Sequence, residues 1–423
     1  MKKCLSKVSK YLMLLAFTVF TIAVSLNITS YAAGEKVTNL KQVDAGETSV
    51  KISYDAPLGA NKFTIYISEY NTFPSSATVT TVSYSSKDVR IYGLNPNHTY
   101  FVKVIPTSPT GQYSFSDVIT CVTDPENLQD IKHTQSTTSS VTVSWSEPLS
   151  GAQYYNIYYK PTHSSVDEIY VGSTSNKNFT VKNLADDTEY NIYVYPIRKS
   201  ANGYEAVGYS RNKSYIPTVA KANKLSQIKL YRWEPGSTTA SIKFTNSQKN
   251  QSGIEIEISN LSGKKIKSIK LSRYSSTAGF SLSKIKNKGF QYRFRYYVTT
   301  NTKNCYGPWT SKKVVIPFAK TTVKKNSSNS LKISWKKISG ATSYSVYVAK
   351  TKDDNFKKVA TVKSTSYILK NTKKRQDYYI YVKANGVKCG KKKYASVKPQ
   401  YQNVTLVWYG NYKLYTYTST CKN

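Results

Sequence analysis

The 423-residue sequence is poor in the residue types on which catalysis and metal binding most often depend. It has 3 histidines, 5 cysteines and 2 methionines. None of His98, His133 and His163 has another histidine, a cysteine or clustered carboxylates at the spacing of metal ligands, and we expect each to be a surface loop residue. Nucleophile elbows, phosphate-binding loops and zinc motifs are also missing. The sequence therefore predicts no catalytic residue, no metal, no cofactor and no enzyme.

Acidic residues are scarce in the second half of the chain. The whole sequence has 61 Lys+Arg against 23 Asp+Glu, a formal net charge of +38. Residues 34–125 and 126–218 are nearly neutral, whereas 219–317 carries 19 basic against 3 acidic residues and 318–398 carries 21 against 3. This asymmetry indicates an anionic partner that is met by the second half.

Long hydrophobic runs are limited to the N-terminus. Four lysines precede an apolar stretch of 16 residues, 11–26, and small residues follow at 30–33. This order predicts a signal peptide at 1–33 and a secreted protein. The alternative is an uncleaved membrane anchor, for which the stretch is slightly shorter than the about 20 residues of a bilayer span. After cleavage we expect no stable membrane span.

Cysteine is sparse enough to allow few disulfides. Cys121, Cys305, Cys389 and Cys421 remain after cleavage of the signal peptide. A Cys389–Cys421 bridge would fasten the C-terminal tail to the last repeat, whereas free, partly buried thiols are the alternative. The sequence leaves both open.

Sustained helical periodicity is absent, and a repeat of strand patterns takes its place. The pattern Gly-Ala-x-x-aromatic-x-β-branched-Tyr occurs at 59–66, 151–158 and 340–347, at spacings of 92 and 189 residues. Because the second spacing is about twice the first, a diverged copy is expected between them. A second alternating pattern precedes each copy and ends in Tyr54, Trp145 or Trp335. A third follows, and its four copies begin at Tyr100, Tyr190, Tyr292 and Tyr378.

These patterns resemble fibronectin type III modules, and the resemblance covers about residues 35–398. It implies an all-β fold of tandem immunoglobulin-like sandwiches, with structural roles for Trp145, Trp335, Tyr100, Tyr190, Tyr292 and Tyr378. Each tyrosine is expected to fasten the turn that precedes its strand. The Leu about six residues before this tyrosine is Leu94 or Leu184, and in the fourth copy we assign Leu369, at a longer distance. The abundance of Lys, Asn, Tyr, Ile and Ser is typical of a low-GC bacterium.

The predicted organisation is four modules and a tail. A truncated fifth module is a weaker interpretation of the tail than a β-hairpin that packs on module four. The ranges are 1–33 signal peptide, 34–125 module 1, 126–218 module 2, 219–317 diverged basic module 3, 318–398 basic module 4 and 399–423 C-terminal β tail.

In module 3, strand alternation turns Glu255, Glu257, Arg293 and Arg295 outward, and we expect them to pair across neighbouring strands. Pairing would occupy two of the three acids and leave many lysines without partners. The candidate polyanion-binding residues are Lys264, Lys265, Lys267, Lys270, Lys312, Lys313, Lys373, Lys374, Arg375, Lys391, Lys392 and Lys393.

These observations favour a non-catalytic extracellular binding, adhesion or spacer protein. Its basic half would attach to an anionic cell-wall or matrix polymer, with wall teichoic acid as the first candidate and nucleic acid as a less favoured one. The alternative is a glycan-binding accessory protein that acts beside secreted carbohydrate-active enzymes. A protein ligand also remains open. Lysines that merely guard sheet edges would explain some of the charge but not its excess in module 3 and module 4.

Overall fold

The computed structural model describes most of the chain outside the N-terminus. The described ranges are 34–83, 88–107, 113–210, 213–219, 221, 229–233, 239–243, 250–281, 283, 288–351, 355–396, 405–409 and 414–418. The predicted signal peptide at 1–33 and Cys421 therefore lie outside them. No helix in this part of the chain has the length and apolar character that crossing a bilayer requires.

The first sandwich consists of two antiparallel sheets, in the orders β1-β2-β5 and β4-β3-β6-β7. Its strands are β1 (Thr38–Gly46), β2 (Ser49–Asp55), β3 (Lys62–Ser68), β4 (Thr78–Ser83), β5 (Asp88–Tyr92), β6 (Thr99–Thr107) and β7 (Ile119–Val122).

The second sandwich has the same plan, with sheets β12-β9-β8 and β11-β10-β13-β14, and β15 also pairs with β13. Its strands are β8 (Lys132–Ser136), β9 (Val141–Ser144), β10 (Tyr154–Pro161), β11 (Ile169–Thr174), β12 (Asn178–Val181), β13 (Glu189–Lys199), β14 (Glu205–Val207) and β15 (Lys213–Pro217).

The third sandwich has sheets β16-β17-β20 and β19-β18-β21-β22, and β23 also pairs with β21. Its strands are β16 (Lys229–Trp233), β17 (Thr239–Lys243), β18 (Gly253–Asn260), β19 (Lys265–Ser272), β20 (Thr277–Ser281), β21 (Phe290–Thr299), β22 (Asn304–Tyr306) and β23 (Lys313–Val315).

The fourth sandwich has sheets β25-β26-β29 and β28-β27-β30-β33-β34, with β24 also paired to β30 and a separate hairpin β31-β32. Its strands are β24 (Phe318–Ala319), β25 (Thr321–Ser327), β26 (Ser330–Trp335), β27 (Ser343–Ala349), β28 (Lys357–Val362), β29 (Ser366–Leu369), β30 (Gln376–Asn385), β31 (Val387–Cys389), β32 (Lys392–Tyr394), β33 (Thr405–Tyr409) and β34 (Leu414–Thr418).

The Gly-Ala repeat has a direct structural cause. Gly59, Gly151 and Gly340 have φ of 78°, 75° and 79°, a region that side chains disfavour, so glycine makes the turn into the next strand. The aromatic residue four positions later then packs on the last aromatic residue of the preceding strand. These ring pairs are Tyr54–Phe63 at 5.0 Å, Trp145–Tyr155 at 5.1 Å and Trp335–Tyr344 at 5.4 Å between centroids. In the first, second and fourth sandwiches, the repeat therefore supplies an aromatic contact between the two sheets.

The tyrosines at the third pattern are buried, and three of them accept a backbone hydrogen bond from five residues upstream. The O···N distances are 2.8 Å for Tyr100 with Asn95, 2.9 Å for Tyr190 with Ala185 and 2.6 Å for Tyr378 with Lys373. Tyr292 is 4% exposed. Each of these hydrogen bonds spans five residues, so the turn before β30 is no longer than the turns before β6 and β13.

In the fourth sandwich, Thr372 rather than Leu369 occupies the turn position that Leu94 and Leu184 occupy in the first two sandwiches. The backbone N–H of Leu94, Leu184 and Thr372 donates to the carbonyl of Thr48, Ser139 and Asn329, respectively. All three lie six residues before their tyrosine and are at most 7% exposed. The assignment of Leu369 to this position was wrong, because it followed residue type instead of turn geometry.

The segment interpreted as a tail supplies a strand of the fourth sandwich. Val407 pairs with Tyr378, as Cys121 pairs with Tyr100 and Ile216 with Tyr190. Val407 is 0% exposed and belongs to the fourth core. β33 is thus the last strand of this sandwich, and β34 extends the sheet beyond it.

His133 lies within a strand and is 5% exposed, so the expectation of a surface loop residue was wrong for it. Its strand, β8, contacts the third sandwich, where the His133 N–H donates to Asn301. Cys121 and Cys305 are buried free thiols in different sandwiches.

Candidate polyanion-binding surface

The outer face of β18 and β21 carries a cross-strand grid of charges. Register places Glu255 opposite Arg295 and Glu257 opposite Arg293. Arg293 Nε lies 2.9 Å from Glu257 Oε1, and Arg295 donates to Glu255 from Nη2 at 2.7 Å. The predicted pairing is confirmed, because antiparallel register sets directly opposite residues within reach of each other.

Aromatic rings cover these arginines. The Arg293 and Arg295 guanidiniums lie 4.5 Å and 4.3 Å from the Trp309 ring centroid, and Arg295 also lies 3.9 Å from that of Tyr306. Lys270 Nζ stands 5.3 Å from the Tyr306 ring, and a hydrogen bond with Tyr306 raises the pKa of Lys270. Among the candidate lysines, Lys270 is therefore held by contacts within its own sandwich.

Glu255 stays ionised inside this grid. Its burial works to raise the pKa, but hydrogen bonds from Ser268 and Arg295 and the charges of Arg295 and Lys265 outweigh burial, and the pKa is lowered. Glu255 is thus held mainly by Ser268 and Arg295, and the charge of the candidate lysine Lys265 also contributes to its lowered pKa.

Other candidate lysines gather at the turn between β18 and β19. Lys264, Lys265 and Lys267 are exposed there, as are Lys312 and Lys313 at the start of β23. A Cβ placed on Gly263 would lie 3.6 Å from Lys312 Nζ, so the Lys312 ammonium rests on this turn. Two segments that are far apart in sequence therefore present their charges at one end of the third sandwich.

The hairpin β31-β32 carries four more exposed lysines. Lys391 and Lys392 are joined by Lys388 and Lys393, which face each other directly across the hairpin. Like charges at directly opposite positions repel and destabilise a sheet. Lys388 was not predicted from the sequence. Gly390, two residues later, indicates a turn that would bring Lys388 close to the lysines that follow. An anion bound here would relieve this repulsion.

The two basic turns lie side by side. Cys389 Sγ donates to the Leu261 carbonyl at 3.4 Å, and Leu261 packs against the fourth core. We call the lysines of these two turns the junction cluster: Lys264, Lys312, Lys388, Lys391, Lys392 and Lys393. Within the described ranges, no carboxylate forms an ion pair with any of them.

Lys373, Lys374 and Arg375 are not part of this cluster. They precede β30, and the hairpin β31-β32 follows its far end. Ten strand residues at about 3.3 Å each separate the two groups by roughly 30 Å. The structure therefore divides the candidate lysines of the fourth sandwich between two ends.

Cys389 is a free thiol in this structure, and Cys421 lies outside the described residues, so the Cys389–Cys421 disulfide stays a prediction. In the described part of the chain, no group of three or more metal-ligating side chains occurs.

Comparison with known families identifies two of the sandwiches. Residues 125–210 and 317–397 match the family model of the fibronectin type III domain. These two sandwiches are therefore similar to fibronectin type III domains, and the predicted all-β fold of tandem β-sandwiches is confirmed.

Relatives among curated proteins are distant and much longer. The chain is 23% identical over 218 residues to fibronectin type III domain-containing protein 1 of Margaritifera margaritifera, covering 48% of this chain and 28% of that protein. It is 25% identical over 221 residues to the collagen alpha-1(XII) chain of Oryctolagus cuniculus, covering 50% and 32%. The chain thus spans less than a third of the length of these relatives.

A solved structure with similarity is the two-domain fibronectin type III segment of chicken tenascin. The identity is 17%, the match covers 43% of this chain and 99% of that one, and the TM-score is 0.25.

Proposed function

We propose that this chain is a non-catalytic, secreted binding and spacer protein whose third and fourth sandwiches attach to an anionic polymer through the junction cluster. The observation that carries the proposal is the gathering of exposed lysines on two adjoining turns, with no carboxylate partner among the described residues. The directly opposed Lys388 and Lys393 repel each other, and a bound anion would reduce this repulsion.

A phosphate polymer fits this surface better than a single acidic group. Lysines are flexible point charges that follow a chain of phosphates without demanding one geometry. Attachment would then leave the nearly neutral first and second sandwiches to project from the polymer. Wall teichoic acid is the polymer we name, and an acidic polysaccharide or nucleic acid is an outcome that the test separates.

The test compares two triple variants of equal charge in the full chain. K391Q/K392Q/K393Q removes part of the junction cluster, whereas K325Q/K357Q/K358Q removes exposed lysines of the fourth sandwich that lie outside it and are not opposite another lysine. Binding to purified teichoic acid, heparin and single-stranded DNA is measured on a biosensor as a function of salt concentration.

We expect the hairpin variant to weaken teichoic acid binding and to lower the slope of log affinity against log salt by about 2, since each lost phosphate contact contributes about 0.7. The matched variant should change affinity much less. Equal losses in the two variants, or binding that does not depend on salt, would contradict the proposal. Stronger binding to heparin or DNA than to teichoic acid would contradict the named polymer.

A further inference from the structure

A cleft of about 560 Å³ opens between the second and third sandwiches. Its volume lies in the range of small-molecule sites, and it is lined by both sandwiches. It is separate from the junction cluster, which lies between the third and fourth sandwiches.

Direct hydrogen bonds hold the walls of the cleft in place. The His133 N–H donates to Asn301 Oδ1 at 2.8 Å, and the Asn301 N–H donates back to the His133 carbonyl at 2.9 Å. Gln251 Nε2 donates to the Thr218 carbonyl at 3.0 Å, and Thr302 Oγ1 donates to that of Thr134 at 3.0 Å. The two walls of the cleft are thus ordered before a ligand binds, so binding loses little free energy to ordering them.

Two exposed rings stand at the cleft, one on each side. Tyr215 of the second sandwich is 59% exposed and Tyr274 of the third is 81% exposed. Tyr215 has a φ of 58°, a conformation that large side chains seldom adopt. Strain of this kind is retained where the surrounding structure enforces it, and it clusters at ligand sites.

The polar groups that line the cleft include hydrogen-bond donors and acceptors, and they carry charges of both signs. The Glu189 carboxylate of the second sandwich and the Asn301 amide nitrogen of the third have no hydrogen-bond partner within the described ranges. The Arg273 guanidinium lies with Asn301 on the wall of the third sandwich, where it donates to the Tyr274 hydroxyl and lies 4.8 Å from the centroid of that ring. A carboxylate repels anions and a guanidinium repels cations, so neither kind of ion fits the whole cleft. Hydroxyl groups, which donate and accept at once, satisfy both walls.

We propose that this cleft binds an uncharged oligosaccharide, with sugar rings against Tyr274 and Tyr215 and sugar hydroxyls on Glu189 and Asn301. Tyrosine rings present an apolar face to the C–H groups of a sugar and keep a polar end in water. The site is independent of the polyanion surface in position and in ligand charge.

The test uses the full chain and a panel of soluble tetrasaccharides: cellotetraose, xylotetraose, maltotetraose and chitotetraose. Titration calorimetry is run in about 1 M NaCl, where the Debye length is about 3 Å and attachment through charge is suppressed. The variants are Tyr274→Ala, Glu189→Ala and Glu189→Gln. The matched control is Tyr209→Ala, since Tyr209 is 79% exposed and lies outside the cleft.

We expect at least one tetrasaccharide to bind, with affinity about tenfold weaker in Tyr274→Ala and in Glu189→Ala. Glu189→Gln keeps the acceptor oxygen and should retain most of the affinity, and Tyr209→Ala should retain all of it. Failure of every tetrasaccharide to bind, or an equal loss in Tyr209→Ala, would overturn the assignment.

The two proposals can fail separately. K391Q/K392Q/K393Q should bind the tetrasaccharide like the unaltered chain, and Tyr274→Ala should bind teichoic acid like it. A tetrasaccharide affinity that follows the lysines instead would overturn the cleft assignment.

Discussion

Thr372 shows how a single residue departs from the repeat without altering the fold. It occupies the buried turn position that Leu94 and Leu184 fill elsewhere, and its hydroxyl has no hydrogen-bond partner in the described part of the chain. A buried hydroxyl without a partner loses its bonds to water and gains none in return. The fourth sandwich therefore carries an avoidable cost at this turn.

Thr372→Val should raise the free energy of unfolding of the fourth sandwich by about 1 kcal/mol, because it removes the hydroxyl and keeps the shape. Hydrogen exchange of the β30 amides, followed by mass spectrometry, measures this sandwich alone. Thr361→Val, at an exposed position of β28, is the matched control and should change exchange little. A faster exchange in Thr372→Val would show that the hydroxyl has a stabilising partner.

At the scale of elements, β33 joins a sheet whose strands β24, β27, β28 and β30 all lie before residue 386. It pairs with the first half of β30, and Val407 contributes to the fourth core from this position. Without β33, the N-terminal half of β30 would lose these backbone partners, and unpaired edges favour aggregation. The last strand is thus part of the sandwich rather than an appendage.

Val407→Ala should destabilise the fourth sandwich by about 2 kcal/mol, from lost burial and the cavity that remains. The β30 amides should exchange faster as a result, while those of β13 in the second sandwich stay unchanged. Val359→Ala is the control, since Val359 is 39% exposed on the neighbouring edge strand β28. Unchanged exchange of β30 would mean that β33 adds nothing to this core.

At the scale of the whole molecule, the contact between the first and second sandwiches includes an acid with a perturbed pKa. Asp124 accepts a hydrogen bond from the Val207 N–H at 3.0 Å. Burial raises its pKa to about 6, reinforced by the charges of Asp44 and Glu47 and opposed by the hydrogen bond. Between its ordinary pKa of 3.8 and about 6, the folded state binds more protons than the unfolded state.

Stability at this contact should therefore fall as pH rises from about 4 to about 6, with the penalty complete above that window. Asp124→Asn keeps an acceptor for Val207 and removes the charge, so its melting temperature should exceed that of the unaltered chain at neutral pH. The difference should disappear near pH 4. The control is Asp130→Asn, which removes a carboxylate from the exposed ion pair with Lys132, outside this contact.

Much of the fold follows from the sequence alone because strand alternation and turn residues are local signals. In β18, a period of two is enough to predict that Ile254, Ile256 and Ile258 are buried. The same period and the strand order predict that Glu255 and Glu257 face outward and pair with the arginines of β21. The absence of sustained helical periodicity in the sequence is a signal of the same local kind. The excess of lysine in the second half is likewise a matter of composition.

Only the tertiary structure decided which distant segments meet. It joined Leu261 to Cys389 and so gathered the junction cluster, and it separated Lys373 from Lys391 along the length of β30. It set His133 against Asn301 and thereby formed the cleft. Such contacts depend on how complete sandwiches pack against each other, and no local alternation encodes that packing.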